Sequence, residues 1–339
     1  MQIKILLAKK LMNLLPNRPD FHPRYFRQQL FRHPNYKKLS NKEKHEKIIN
    51  WIEADITKAK EKPFESFFSD FPFDNYFRNK SVLDLGCGIG GYTINFAERH
   101  RVKLMAGIDV NEELINAIKI FVQNRNNSNV NYDFKAAYAE ELPYPDNTFD
   151  AIISLGVLQH VRDIKKTLQE CKRVVKKCGA ILLVFIPYHF PLGGAHISSV
   201  TRTPFLEWFF SPETLNEAYN NIVVNWNDRY DWYKHRCDNK YGDWEKIRSG
   251  IGINGINYKK FNSALKEVGF ANIKFIKTPL LKNSSVSKEH TVIRYITNII
   301  GIFLIRPFII ERLSQRLVYI LAKGKNCKHI IADNYKVIL

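Results

Sequence analysis

A chain of 339 residues, 45% of them hydrophobic, has enough apolar surface for one large α/β domain with additions, or for two domains. Its five cysteines, Cys87, Cys171, Cys178, Cys237 and Cys327, are odd in number, form no CxxC pair and have no histidine at zinc spacing. That excludes a disulfide scaffold or a structural metal as the expectation and points to a reducing, cytoplasmic compartment. The formal charge of +19 sits at the ends: residues 1–80 hold 17 basic against 9 acidic side chains and residues 281–339 hold 10 against 3, while residues 81–280 hold 25 against 21. Basic ends suit an anionic neighbour (a lipid surface, an acidic glycan or nucleic acid), and a Lys- and Asn-rich composition bias produces the same count.

The opening MQIKILLAKKLMNLLPNRPD lacks the unbroken apolar core and the small-residue cleavage site of a signal peptide, because Lys9 and Lys10 interrupt it. Ile5, Leu6, Leu11, Leu14 and Leu15 can share one helical face, which predicts a short helix packed on the protein's own core or lying as a peripheral contact on an anionic membrane. Ser40 with Glu43 forms a capping-box pattern, and Ile48, Ile49, Ile52 and Ile56 follow as a helical stripe that Pro63 closes. Residues 1–80 read as a basic helical extension outside the core.

From Ser81 the pattern becomes strand and helix in alternation. SVLDL, LMAGIDV, VNYDFKA, FDAIISL and AILLVFI are apolar strands; TINFAERH, ELINAIKIFVQN and DIKKTLQECKRVVKK are helices, the last closed by Gly179. Apolar strands separated by helices predict an α/β, doubly wound, Rossmann-like parallel sheet covered on both faces. After Ile186 the rhythm breaks, and residues 187–255 read as an insertion after strand five, on the ligand side of the sheet. Residues 256–339 return to the pattern with NYKKFNSALKEVGFANIKFIK and RLVYILAKG. Between them, YITNIIGIFLI at 295–305 holds eleven uncharged residues where a span needs about 20, so it reads as part of a basic amphipathic helical segment and not as a transmembrane helix.

VLDLGCGIGG, residues 82–91, passes from strand to glycine loop and fits two spacings. Gly86, Gly88 and Gly91 satisfy GxGxxG, the dinucleotide pattern; Asp84, Gly86, Gly88 and Gly90 satisfy D-x-G-x-G-x-G. A pyrophosphate on the loop would be repelled by Asp84. S-adenosylmethionine carries no phosphate and presents an ammonium, which a carboxylate attracts. Asp109, ending the second strand, is placed to accept ribose hydroxyls in either case.

The segment AYAEELPYPDNTFDAIISLGVLQHV (137–161), followed by DIKKTLQECKRVVKKCGAILL, resembles the class I S-adenosylmethionine-dependent methyltransferases of the broad type 11 group. The resemblance covers 81–186 well and 256–277 more loosely. It implies a seven-stranded, mostly parallel sheet with its last strand antiparallel, and S-adenosyl-L-methionine as cofactor. It carries the glycine loop onto Asp84, Gly86, Gly88 and Gly90, the ribose acid onto Asp109, the adenine turn onto Tyr138, Ala139 and Glu140, and the methionine end onto Ser154, Leu155 and Gly156. Many relatives have an acid where Tyr138 stands; Tyr138 can stack or donate, and Glu140 is the substitute acceptor.

Methyl transfer to an activated carbon needs position, a dry site and sometimes a base. His160 after strand four, and His189 and His196 after strand five, are the candidate bases, with His196 favoured because Gly193 and Gly194 beside it allow close approach. The stretch GGAHISSVTRTPFLEWFFSPETL is also similar to segments of methyltransferases encoded among bacterial glycan and lipid-modification genes. The acceptor expected is a small molecule, a glycan or a lipid-linked compound. The other readings are an RNA methyltransferase holding phosphates on the basic ends, a nucleotide-binding protein or dehydrogenase, and a silent scaffold of the same fold.

Overall fold

The computed structural model describes residues 2–16, 38–68, 71–125, 129–190, 197, 200–223, 254–270, 272–277 and 317–323. Its centre is a seven-stranded sheet of β1 (Ser81–Leu85), β2 (Leu104–Asp109), β3 (Asn131–Ala136), β4 (Phe149–Leu155), β5 (Val175–Phe185), β6 (Asn272–Lys277) and β7 (Leu317–Ala322). The order is β3-β2-β1-β4-β5-β7-β6. β1 to β5 run parallel, and β7 lies antiparallel between β5 and β6. The expected doubly wound sheet with a final antiparallel strand is therefore present. Strand order reverses between β1 and β4, and their carboxyl ends form the crevice where open α/β sheets bind ligands.

The period-two alternation of the strands decides which side chains meet which layer. Leu83, Leu85, Ile152, Ile181, Leu183 and Tyr319 face α6 (Ile164–Val174) and α9 (Tyr258–Val268). Their neighbours Val82, Ile153, Leu182, Val184 and Ile320 face the other way, onto α4 (Gly91–Arg99) and a phenylalanine-rich segment running from Phe64 through α3 (Phe73–Phe77). The helices start where the sequence supplies caps. Ser40 and Glu43 cap α2 (Asn41–Glu61) reciprocally, and Asn111 caps α5 (Glu112–Gln123). Asp163 and Asn257 cap α6 and α9.

Three sequence expectations are corrected here. Residues 41–77, read as lying outside the core, close one face of it: Ile52 and Ile56 of α2 pack on Ile94 of α4 and on Ile115 and Ile118 of α5, and Phe64, Phe68, Phe73 and Phe77 lie against the sheet. A phenylalanine run without helical or strand period gave no sign of the surface it covers. The helix expected through Lys177 stops at Val174, and β5 begins at Val175. Gly179 is a mid-strand residue at the β4–β5 register shift, where a Cβ would stand 2.7 Å from the Asp150 carbonyl. Cys87 and Cys171 are buried free thiols, whereas Cys178 is disulfide-bonded, contrary to the reading of the cysteines as reduced. Segment 295–305 lies outside the described residues.

Beyond β5, α8 (Pro212–Val223) and the short α7 (Leu206–Phe209) build a separate apolar cluster with α1 (Gln2–Met12). The chain after α1 is stitched to this cluster: Arg202 N–H and Thr201 Oγ1 donate to the Leu15 carbonyl at 2.7 and 3.2 Å, and Thr203 Oγ1 donates to the Leu11 carbonyl at 2.8 Å. No helix among the described residues is long and apolar enough to cross a membrane.

The phenylalanine layer is tied down by one histidine. His100, capping the end of α4 and buried among Phe73, Phe77 and Phe96, bonds Asp74 Oδ1 through Nδ1 at 2.7 Å and Glu65 Oε1 through Nε2. Burial pushes the Glu65 carboxyl up, but the His100 hydrogen bond and the nearby His100 and Arg99 charges outweigh it and hold it below the usual range. His100→Ala strands that carboxylate in an apolar layer. Urea unfolding is expected to show a loss of about 1–3 kcal/mol, and an unchanged midpoint would refute the role of this tie.

Candidate active site

The crevice at the β1 and β4 carboxyl ends gathers the residues singled out from the sequence. Asp84 is buried on β1, paired in register with Gly107 of β2 and Ile153 of β4. Thr93 Oγ1, in the first turn of α4, donates to its Oδ2 at 2.6 Å. Burial, opposed by that hydrogen bond and reinforced by the charges of Asp109 and Asp55, pushes the Asp84 carboxyl up to about 7. A buried acid of this kind is poised to ionise when a cation arrives.

The loop from Gly86 to Gly90 is drawn onto β2, where Gly86 and Cys87 N–H both donate to the Ile108 carbonyl at 2.8 Å. Gly88 N–H donates to Asp109 Oδ2 at 3.0 Å, and Asn111 N–H donates to Asp109 Oδ1 at 2.9 Å. Asp109, expected as the ribose acid, is thus oriented by the loop it faces. Its burial raises its pKa, and these backbone bonds partly offset the rise. Gly88 adopts φ +56°, and a Cβ built there meets no atom within 4 Å, so the loop presents bare backbone to open space. Gly91, by contrast, is closed: its Cβ would stand 2.6 Å from the backbone of Asp55, because α2 crosses directly over the start of α4. Burial and the charges of Asp84 and Asp109 keep the Cys87 thiol protonated, so it has no part as a nucleophile.

From β3 the chain turns through Tyr138, Ala139 and Glu140. Ala139 is buried, and the Tyr138 ring carries the Arg162 guanidinium 4.1 Å from its centroid. Glu140, expected as an adenine acceptor, is engaged elsewhere. Its Oε1 accepts from the Arg162 and Asp163 N–H groups at 2.6 and 3.2 Å and fixes the approach to α6. At the end of β4, Ser154 Oγ donates to the Leu85 carbonyl at 3.1 Å, tying the two strands of the crevice, and Leu155 packs against the core. Gly156 then opens the turn that carries His160. His189 sits farther on, its Nδ1 3.0 Å from the Glu207 carbonyl and its own carbonyl accepting from Trp208 Nε1 at 2.9 Å. His196, the favoured base, lies outside the described residues.

Three residues were missed by sequence reading. Thr93 is one helical turn past the loop, where a small polar residue carries no signal of its own. Gln159 is buried beside Gly156, with its Nε2 3.7 Å from where a Gly156 side chain would begin, and its Oε1 has no hydrogen-bond partner. Asn254 clamps the β4 turn: its Nδ2 donates to the Leu158 and Val161 carbonyls at 2.8 and 2.7 Å, and its N–H donates to the Gln159 carbonyl at 2.8 Å. Only the fold brings residue 254 to residue 159. An open backbone cradle at Gly88, a buried acid and an orphaned amide oxygen fit a ligand with a ribose and a cationic amino-acid end. Among the described residues no group of His, Cys, Asp and Glu could hold a metal ion.

The fold and this crevice define an α/β domain with a ligand crevice at the switch point of its sheet. Residues 83–183 match the family described as methyltransferase domain. They form a class I S-adenosylmethionine-dependent methyltransferase domain, with S-adenosylmethionine as its cofactor. The chain is similar to ajmaline N-methyltransferase of Rauvolfia serpentina, 29% identical over 123 residues that make up 36% of this chain and 41% of that protein. It is 35% identical to the uncharacterized methyltransferase YcgJ of Bacillus subtilis over 103 residues, 30% of this chain and 39% of the relative. It is 27% identical to the ubiquinone/menaquinone biosynthesis C-methyltransferase UbiE of Rickettsia bellii over 196 residues, 55% and 73% of the two chains. The chain spans about two-fifths of the length of the first two relatives.

The raised Asp84 pKa has a signed consequence. Between its unfolded value near 3.8 and its folded value of about 7 the native state holds an extra proton, so stability falls as pH rises through that window. Above it, the buried charge is carried in full. Asp84→Asn, which can still accept from Thr93, is expected to raise the melting temperature of the cofactor-free protein most at pH 8 and clearly less at pH 5, inside the window. It is also expected to weaken S-adenosylhomocysteine binding at least tenfold by calorimetry. Equal melting shifts at both pH values would contradict the assignment.

Proposed function

We propose that the protein transfers the methyl group of S-adenosylmethionine to a small-molecule, glycan or lipid-linked acceptor. The observations that carry the reading are the buried Asp84 on β1, the open backbone of Gly88 in the loop after it, and the buried Gln159 with its unpartnered amide oxygen on the turn after the neighbouring β4. Asp84 and Gln159 would receive the ammonium of the methionine end, Gly88 would lie along its backbone, Asp109 would accept the ribose hydroxyls and Tyr138 would flank the adenine. The cofactor, when bound, supplies a methyl carbon activated by its sulfonium. The chain's part is to orient the two reactants in line and to exclude water.

A small acceptor is supported by what lies over the crevice. The segment after β5 folds back on the β4 turn, with Tyr188 N–H donating to the Ile256 carbonyl at 2.8 Å beside the Asn254 clamp. A cover of this kind suits an enclosed ligand better than a polymer. The relatives named for ajmaline and for ubiquinone/menaquinone biosynthesis carry small-molecule acceptors in their names. We assign His160, on the clamped turn, as the group that takes the acceptor's proton where the acceptor atom needs one.

Thermal denaturation tests the cofactor half. S-adenosylhomocysteine at 100 times its Kd should add about 2.7 kcal/mol, and NADH should add nothing; stabilisation by NADH alone overturns the reading. Labelled-methyl transfer into fractionated small-molecule, lipid-linked and RNA pools tests the acceptor half, with incorporation confined to RNA as the contrary result. In the same assay His160→Asn should keep S-adenosylhomocysteine binding and lose at least tenfold in kcat. Full turnover would remove His160 from the chemistry.

A further inference from the structure

A surface helix needs one apolar face, and α1 has two. Ala8 and Met12 are buried against α8, with Ile5 and Leu11 beside them. The opposite side is equally apolar and stands in the open: Ile3 is 84% exposed, Leu6 56%, Leu7 50% and Leu14 66%. Positions 3, 6 and 7 fall on one side of the helix at the i, i+3 and i+4 spacing, and Leu14 follows in the turn just past its end. Exposed apolar residues scattered singly need no explanation; three grouped on one helix face, Ile3, Leu6 and Leu7, with Lys10 one turn on, do.

The neighbouring element repeats the pattern. α7 buries Leu206 in the same cluster as α1 and leaves Phe209 77% exposed. Phe205, which opens α7, holds φ +68°, a backbone conformation that a bulky aromatic rarely adopts, and is itself exposed. Hydrogen bonds from residues 201–203 to the Leu11 and Leu15 carbonyls fasten the two elements together, and Ala8, Met12 and Leu206 share one apolar cluster.

Charge identifies the occupant. No acidic residue occurs before Asp20, and Lys4, Lys9 and Lys10 all stand on α1. The acid of α7, Glu207, is buried. A second copy docked through this face about a two-fold axis would set the same lysines against one another. An anionic lipid surface accepts both components, apolar side chains at the acyl boundary and lysines among the headgroups.

We propose that the outer face of α1, extended by Phe209, docks the protein peripherally on anionic membrane. The proposal does not depend on methyl transfer. Flotation of the full chain with vesicles of phosphatidylglycerol and phosphatidylcholine, and with phosphatidylcholine alone, tests it. Binding is expected with the anionic vesicles only, weakened by 0.5 M salt. The Leu6→Gln/Leu7→Gln protein is expected to lose at least tenfold in bound fraction while keeping the wild-type melting curve. Phe209→Gln gives an independent reading, with a smaller loss, should the double variant melt early. Absence of flotation, or flotation equal in the variants, overturns the proposal. So does a wild-type dimer in light scattering that the variants convert to monomer without altering flotation, since the face is then an interface between copies.

Discussion

A carboxylate kept out of water at the end of β1 is the constraint on which the site depends. Asp84 can be buried because Thr93 donates to it and the glycine loop turns away from it, and its burial is what drives its pKa towards neutrality. An acid in that state costs stability at neutral pH until a cation offsets it. That selects against a pyrophosphate and in favour of an ammonium. The glycine loop and Asp109 lie beside that one acid. Gly88 is held open by its own bond to Asp109, and the β4 turn is closed by Asn254 from far along the chain.

The same edge depends on segments outside the strand–helix repeat. α2 crosses the start of α4 closely enough that Gly91 has no room for a side chain, and this contact sets where the loop can lie. The phenylalanine layer and His100 anchor the other end of α4. The segments 38–68 and 71–77 are therefore part of the core that holds α4 and the loop before it.

The sheet was legible because buried parallel strands write themselves as apolar runs between helices, and the loop was legible because bare backbone at a ligand requires glycine. Asp84 and Asp109 were singled out by chemistry, and the structure buries both beside the glycine loop. Cover was not legible. Phe64 to Phe77 have no period, Val175 continues a helical pattern into a strand, and Gly179 looked like a helix stop when it marks the place where β4 presses on β5. Glu140 showed a second limit. An acid in the right loop invites a ligand, but its oxygen was already claimed by the backbone before α6. Gln159 and Asn254 needed tertiary contacts to mean anything at all.

The most direct test is a carbon-detected NMR titration of the aspartate carboxyls, with Asp84 assigned by its absence in Asp84→Asn. In the cofactor-free protein the Asp84 carboxyl should titrate near 7. With S-adenosylhomocysteine bound, its titration should move down towards the ordinary carboxylate range, because the ligand's ammonium favours the charged form. An Asp84 that titrates near 4 without ligand, or that keeps its value when the ligand binds, would contradict a site built around this buried acid.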